Sequence, residues 1–123
     1  MPLKMLSERA GDYEEYLVAP EKLVEGNPRQ RAWVEYTDPT GQFFVGTWAS
    51  EPGKWNIAYT EEEYCEILEG ESVITDTTGA ATTVKAGDRF VIPRGFNGTW
   101  EVRVSTRKYF VIYEQMAATA ESP

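Results

Sequence analysis

Two short segments with fixed spacing of glutamate, glycine and proline constrain this chain more than any other feature. In the first, six residues separate Glu63 from Gly70. In the second, Gly87 is followed by five residues, then Pro93, one further residue and Gly95. Glycine adopts backbone conformations in which a Cβ would clash, and proline fixes φ beside a turn where no ladder donor is needed. The spacing therefore predicts short β-strands joined by tight turns.

Short apolar runs alternate with Gly, Pro and Asp turn signals from position 32 onward, which is typical of an all-β sandwich or barrel. We predict an N-terminal arm over residues 1–30, a β domain over 31–115 and a flexible tail over 116–123. Pro20 and Gly26 bracket one predicted helical turn inside the arm. The predicted strands are 32–36, 43–49, 55–59, 64–68, 72–75, 82–85, 90–92, 99–104 and 109–113.

Together the two segments resemble the signature motifs of the cupin family. The general cupin pattern also has two histidines before the glutamate and one histidine after the second motif, and these hold a metal ion with the glutamate. Here those positions are Ile57, Tyr59 and Gly98, and the chain contains no histidine. The resemblance implies an antiparallel jelly-roll β-barrel. We expect no metal and no other cofactor, because Glu63 and Cys65 are fewer than the three or four protein ligands of a usual site.

Finer details resemble one branch of that family, the small cupins grouped with the cupin domain of (S)-ureidoglycine aminohydrolase. The resemblance covers roughly residues 43–113, and its most specific part is Gly-Thr-Trp-Glu-Val at 98–102 with Arg-Lys at 107–108. The aminohydrolase releases ammonia from ureidoglycine with a manganese ion held by Glu, His and Gln side chains. Of these ligands only Glu63 has a counterpart here. The resemblance therefore implies a stand-alone, metal-free relative to which the family's reaction does not transfer.

The candidate site surrounds Glu63, whose inward face is shared by Cys65 because side chains alternate along a strand. Glu63 is a candidate general base or anchor for a cation, and the alternative is a structural carboxylate neutralised by a nearby Lys or Arg. Arg107 and Lys108 are both candidates for that partner or for binding an anionic group. Cys65 is predicted to be a small buried side chain, since no histidine exists to activate it as a nucleophile.

Four aromatic residues near these positions have two interpretations, ordinary core filling or the wall of a pocket around Glu63. A pocket of this kind suits a flat or cationic small molecule through stacking and cation–π contacts. Glu63 is the predicted catalytic residue. The predicted ligand-binding residues are Trp48, Trp55, Tyr59, Glu63, Cys65, Trp100 and Lys108.

Composition argues against several classes of partner. The net charge of -8 does not suit nucleic-acid binding, which needs clustered Lys and Arg. No stretch approaches the ~20 apolar residues of a membrane helix, and the N-terminus lacks the apolar run of a signal peptide. The single cysteine cannot form an internal disulfide, which fits a reducing compartment. We predict a cytoplasmic protein with no nucleic-acid and no membrane partner.

Three functional hypotheses remain open at this point. The first is a metal-free cupin-domain protein that binds a small metabolite in its barrel. The second is a metal-independent isomerase or hydrolase of small nitrogenous metabolites, with Glu63 as acid/base and Tyr59 or Lys108 assisting. The third is a structural role through self-association. A homodimer is expected, because a small jelly roll leaves sheet edges that two-fold pairing can bury.

Overall fold

Short runs of β-branched and aromatic residues between turns fold into nine strands in the computed structural model, which describes residues 2–6 and 12–115. All paired strands are antiparallel, and the described residues form no helix, so none is available to cross a membrane. The predicted all-β antiparallel jelly roll is confirmed. The strands are β1 (Glu14–Leu17), β2 (Leu23–Glu25), β3 (Arg29–Thr37), β4 (Phe43–Ser50), β5 (Gly53–Ala58), β6 (Glu62–Asp76), β7 (Ala81–Lys85), β8 (Arg89–Ile92) and β9 (Asn97–Tyr113).

Strand β9 organises the curled sheet. Along one path the strand order is β1-β3-β4-β9-β5-β2, and β6 pairs with β9, β7 and β8. The first part of β9 pairs with β5, its last part pairs with β4, and β6 follows it along both parts. Because β9 borders three strands, the side chains of its inner face lie at the centre of the molecule. Trp100, Val102, Lys108 and Phe110 are all buried there.

Two pairs of predicted strands are each a single strand in the structure. The Glu69-Gly70 junction does not end a strand, because β6 continues through it with a shift in register. Gly70 has a φ of 91°, and a Cβ at this position would collide with the carbonyl oxygen of Ser105. Glycine thus permits a bulge where two long strands bend together. The predicted strands 99–104 and 109–113 likewise belong to the continuous β9.

The described part of the predicted N-terminal arm contributes two strands to the sheet. β1 pairs with β3 and β2 pairs with β5, so the described part of residues 12–30 extends the sheet at both ends of this path. The predicted helical turn between Pro20 and Gly26 is wrong. A hydrogen-bonded turn leads directly into β2. Pairing of β2 with β5 gives its backbone N–H and C=O groups hydrogen-bond partners, which most of these groups would lack in a single helical turn. The predicted tail over 116–123 lies outside the described residues.

Two Gly-Thr-Trp triplets, at 46–48 and 98–100, have equivalent roles in the sheet. A Cβ on Gly46 would collide with the carbonyl oxygen of Trp33, and a Cβ on Gly98 with that of Thr75. Each glycine therefore lets a neighbouring backbone approach closely. The tryptophan two residues later is buried in both triplets, and the two indole rings meet edge to face with centroids 5.5 Å apart.

Candidate functional site

The inner face of the sheet borders a cavity of about 270 Å³. Most of its wall is aromatic or aliphatic, and its charged members are Glu63 from β6 and Lys108 from β9. The lining residues are Tyr16, Gln30, Ala32, Val34, Phe44, Trp48, Trp55, Ile57, Tyr59, Glu63, Trp100, Lys108, Phe110 and Ile112.

Glu63 and Lys108 form a buried ion pair. The Glu63 Oε2 and Lys108 Nζ atoms are 2.8 Å apart, and each side chain is only 5% exposed. Arg107, the other candidate partner, instead pairs with Glu69, with 3.4 Å between Nε and Oε1. Adjacent residues of a strand point to opposite faces, so only one of the two basic residues reaches the cavity.

The Lys108 ammonium has further contacts besides the carboxylate. Its Nζ lies 4.4 Å from the ring centroid of Trp100 and 4.8 Å from that of Trp48, within cation–π range. It also donates to Cys65 Sγ at 3.5 Å, and the Cys65 thiol donates to Glu63 Oε2 at 3.3 Å. The charge of Lys108 is thus compensated by a carboxylate, a sulfur atom and two aromatic faces, as a buried charge requires.

Burial and this ion pair set the protonation of the neighbouring groups. Burial alone would lower the pKa of Lys108, but attraction by Cys65 and Glu63 outweighs it and raises that pKa above its ordinary value. Burial raises the pKa of the Cys65 thiol to about 12. Burial also raises the pKa of the Tyr59 and Tyr16 phenols. At neutral pH the cavity therefore has a cationic lysine beside uncharged thiol and phenol groups.

The shifted pKa of Cys65 predicts a loss of stability in alkali. The protonated thiol is favoured in the folded state, so its contribution is complete below the ordinary pKa of 9.0 and is lost as pH rises toward about 12. The free energy of unfolding should fall by at most about 1.4 kcal/mol per pH unit from this group. Urea denaturation across this range should show an earlier and steeper decline in wild type than in Cys65→Ala. Identical pH profiles would contradict this assignment.

The positions that carry metal ligands in the general cupin pattern converge on this cavity. Ile57 pairs with Gly98 across β5 and β9, and Ile57, Tyr59 and Glu63 all line the wall. Ile57 and Gly98 have no side-chain atom that could bind a metal ion. The Tyr59 phenol is neutral, and the Glu63 carboxylate already binds Lys108. Among residues 2–6 and 12–115, no three His, Cys, Asp or Glu side chains are grouped to hold a metal ion. This donor set does not fit the metal of the family pattern.

The structure places six of the seven predicted binding residues on the cavity wall. Cys65 is the exception, since it is fully buried and contacts Glu63 and Lys108 without being among the lining residues. Sequence reasoning missed Tyr16 and Gln30, which belong to the segment assigned to the arm. It also missed several aromatic and aliphatic residues that alternate with outward-facing ones on β4, β5 and β9. These are Phe44, Ile57, Phe110 and Ile112.

The curled antiparallel sheet, the cavity and the register of the two motifs define a cupin. More particularly, the chain belongs to the EutQ-like cupin domain family, whose model matches residues 37–110. No functionally curated protein shows significant similarity to the sequence.

Solved structures with the same fold include proteins of different lengths. A protein of unknown function of the DUF861 family from Pseudomonas syringae pv. tomato is 20% identical with a TM-score of 0.76, over 85% of this chain and 46% of that protein. The Clostridium difficile EutQ protein is 16% identical with a TM-score of 0.64, over 71% of this chain and 69% of its own. A putative ethanolamine utilization protein Q from Salmonella typhimurium is 18% identical with a TM-score of 0.62, over 84% of this chain and 98% of that protein. The chain thus spans about half of the Pseudomonas protein, and these similarities concern the fold.

Proposed function

We propose that this chain is a metal-free cupin-domain protein that binds a small metabolite in the aromatic cavity. The observation that carries the proposal is the buried Glu63–Lys108 pair on a wall that is otherwise mostly apolar. Small-molecule sites combine an apolar lining with a few converging polar groups. A buried ion pair is often no more stabilising than apolar residues of similar volume, so its position beside a cavity favours a binding role over a purely structural one.

The ion pair also limits the chemistry of the ligand. Lys108 neutralises Glu63 and covers the faces of Trp48 and Trp100, which are the groups that a cationic ligand would use. A compact amine would therefore have to displace the lysine or lie beside a like charge. The cavity suits a polar neutral molecule or one that bears an anionic group, for which Lys108 is the donor.

A second candidate function is acid/base catalysis on a small nitrogenous metabolite, the activity class suggested by the resemblance to the ureidoglycine aminohydrolase cupin domain. It is supported by Glu63 and the neutral Tyr59 phenol on one cavity wall, where burial raises the pKa of Tyr59 and hydrogen bonding to Glu63 adds to that rise. A carboxylate beside a proton donor is the minimum for acid/base work. Turnover of an amine- or ureide-containing compound that is abolished in Glu63→Gln but not in Cys65→Ala would favour catalysis over binding alone.

The binding proposal predicts that Glu63 matters more than Cys65 for affinity. Thermal-shift and tryptophan-fluorescence titrations with amines, ureides and carboxylates should identify a neutral or anionic compound that stabilises the wild-type protein. Glu63→Gln should weaken its binding roughly tenfold, because Lys108 loses the partner that fixes it, whereas Cys65→Ala should change binding less than about threefold. If no compound perturbs the wild type and Glu63→Gln alters only stability, the ion pair is structural and the proposal fails.

We also propose that the chain forms a homodimer through the outer face of β4, β9, β6 and β8. In register across these strands lie Val45, Val111, Tyr64 and Val91; Val91 is 59% exposed, and the other three are half-buried. An apolar patch that is partly open to solvent favours an interaction site, and a two-fold axis lets one patch cover its own copy. Light scattering at micromolar concentration should give the dimer mass for wild type, and a monomer mass for Val91→Asp. A wild-type monomer would refute this assembly.

A further inference from the structure

Gln30 is an uncharged polar side chain in the wall of the aromatic cavity. It lies on β3, is only 5% exposed and lines the cavity of about 270 Å³. It also lines a neighbouring cavity of about 400 Å³. The residues that border both cavities are Tyr16, Gln30, Trp55, Ile57 and Tyr59. The buried side chain of Gln30 therefore lies at the boundary of two open spaces.

Hydrogen bonds fix the orientation of the Gln30 amide. Its Nε2 donates to Ser50 Oγ at 3.3 Å, and Ser50 Oγ donates to the backbone carbonyl of Glu51 at 2.9 Å. A hydroxyl group has one hydrogen to donate. Because Ser50 donates that hydrogen to Glu51, it can only accept a hydrogen bond from Gln30. The amide nitrogen must therefore face Ser50, and the carbonyl oxygen points elsewhere.

The carbonyl oxygen of Gln30 lacks a hydrogen-bond donor. Among residues 2–6 and 12–115, no group donates a hydrogen bond to Gln30 Oε1. In the same ranges, Trp100 Nε1 is the one buried side-chain nitrogen or oxygen that lacks both a partner and accessible surface, so Gln30 Oε1 retains accessible surface. Buried polar groups are almost always paired, because leaving one unpaired costs free energy. A molecule in the cavity can supply the missing donor.

The charges of the cavity wall cancel. Its four titratable members are Tyr16, Tyr59, Glu63 and Lys108. Both phenols are neutral because burial raises their pKa, and the carboxylate and ammonium are bound to each other at 2.8 Å. A ligand carboxylate would compete with Glu63 for Lys108, and a ligand cation would compete with Lys108 for Glu63. In a wall of low polarity, either competition leaves a charge without its present partner.

The rest of the wall favours a planar ring. A dry apolar cavity of about 150 Å³ is enough to bind benzene, so 270 Å³ admits a ring with a small substituent. Trp55 and Tyr59 contribute aromatic surface, on which flat rings stack well. Among nitrogen donors, an amide N–H is uncharged at neutral pH, whereas an alkyl amine is protonated.

We propose that the cavity binds an uncharged, planar primary amide whose N–H donates a hydrogen bond to the side-chain carbonyl oxygen of Gln30. This inference rests on the proposed function, because it names the ligand class of the same cavity. The ligand N–H supplies the donor that Gln30 lacks, and the absence of charge leaves the Glu63–Lys108 pair intact.

Four compounds of one shape separate the effect of the donor from that of charge. Benzamide is a neutral donor, and acetophenone has a methyl group in place of the amide nitrogen. Benzoate is an anion without a donor, and benzamidine is a cation with donors. Calorimetric titration of the wild-type protein at neutral pH should rank benzamide first, roughly tenfold tighter than acetophenone.

A substitution at Gln30 tests the recognition group itself. Gln30→Met keeps the length of the side chain and removes the carbonyl oxygen, while Ser50 can still donate to Glu51. Benzamide binding should weaken roughly tenfold and acetophenone binding should change less than about threefold, so the preference for benzamide disappears. Ile57→Leu is the matched control, since it alters another residue on both cavity walls without removing a polar atom. It should retain the preference.

The outcomes separate this inference from the proposed function. If acetophenone binds the wild type as tightly as benzamide, or if Gln30→Met keeps the preference, Gln30 is not the recognition group and the inference fails. If benzoate or benzamidine binds most tightly, the cavity is a binding site but the ligand class is wrong. If none of the four binds, while other compounds stabilise the protein, this ligand class is refuted and the proposed function stands. The wild-type ranking of benzamide against acetophenone decides the inference even if Gln30→Met does not fold.

Discussion

Replacing Lys108 with methionine is expected to lower the free energy of unfolding by about 3–5 kcal/mol, because it breaks a buried ion pair. Methionine fills a similar volume and keeps the apolar stem, so the measured loss reports the removal of the ammonium. That removal leaves the Glu63 carboxylate buried and without a positive partner, beside the Cys65 thiol and the Tyr59 phenol. Urea denaturation at neutral pH, with midpoints and slopes for each variant, measures the change.

A double-mutant cycle distinguishes a broken ion pair from a general packing defect. Glu63→Gln in the Lys108→Met background removes the orphaned charge, so the double variant should recover a large part of the lost stability. The coupling energy between the two positions should exceed about 1 kcal/mol, since the groups are in direct contact. Equal and additive losses from the two substitutions would mean that the pair contributes no specific interaction.

The inner face of the barrel was predictable because two local signals agree. Motif spacing fixes the turns around Gly87 and Gly95 and the bulge at Gly70, and strand alternation then assigns side chains to a face. From these signals Glu63 is expected to face inward, and the structure places it on the cavity wall. Such reasoning succeeds where a strand has a regular period between two recognisable turns.

The choice between Arg107 and Lys108 could not be made from the sequence for a physical reason. The sequence predicts two separate strands, 99–104 and 109–113, and positions 107 and 108 lie between them. Side-chain alternation can be followed only along a continuous strand, so it could not be extended from Trp100 to position 108, although in the structure β9 is continuous and Trp100 and Lys108 share its inner face. Adjacent residues with the same charge then give no local signal of which one points inward.

The contribution of the N-terminal segment was unpredictable on different grounds. Tyr16 reaches the cavity because β1 pairs with β3, in which Tyr16 lies opposite Gln30. Strands of three or four residues have too few positions for a period to be recognised, and their pairing depends on contacts with distant parts of the chain. Edge strands this short therefore cannot be predicted from local sequence patterns, even when they help to enclose a site.

At Gly98, a histidine position of the cupin pattern, the backbone leaves no room for any side chain. Gly98→Ala is expected to lower the free energy of unfolding by at least about 3 kcal/mol, because the new Cβ collides with the backbone carbonyl of Thr75, which cannot rotate away as a side chain would. Gly46→Ala should have a similar effect for the same reason. Arg103→Ala, an exposed substitution on the same strand as Gly98, should change stability by less than about 0.5 kcal/mol.

The same collision applies to histidine at this position of the cupin pattern. Gly98→His should therefore destabilise the fold at least as much as Gly98→Ala and should not create a metal site, as elemental analysis of any folded fraction would show. A Gly98→Ala variant with wild-type stability would refute the close-approach argument. The close pairing of β6 with β9 at Gly98 thus excludes the imidazole that a metal would need. Lys108 supplies the positive charge that the buried Glu63 carboxylate requires in place of a metal ion.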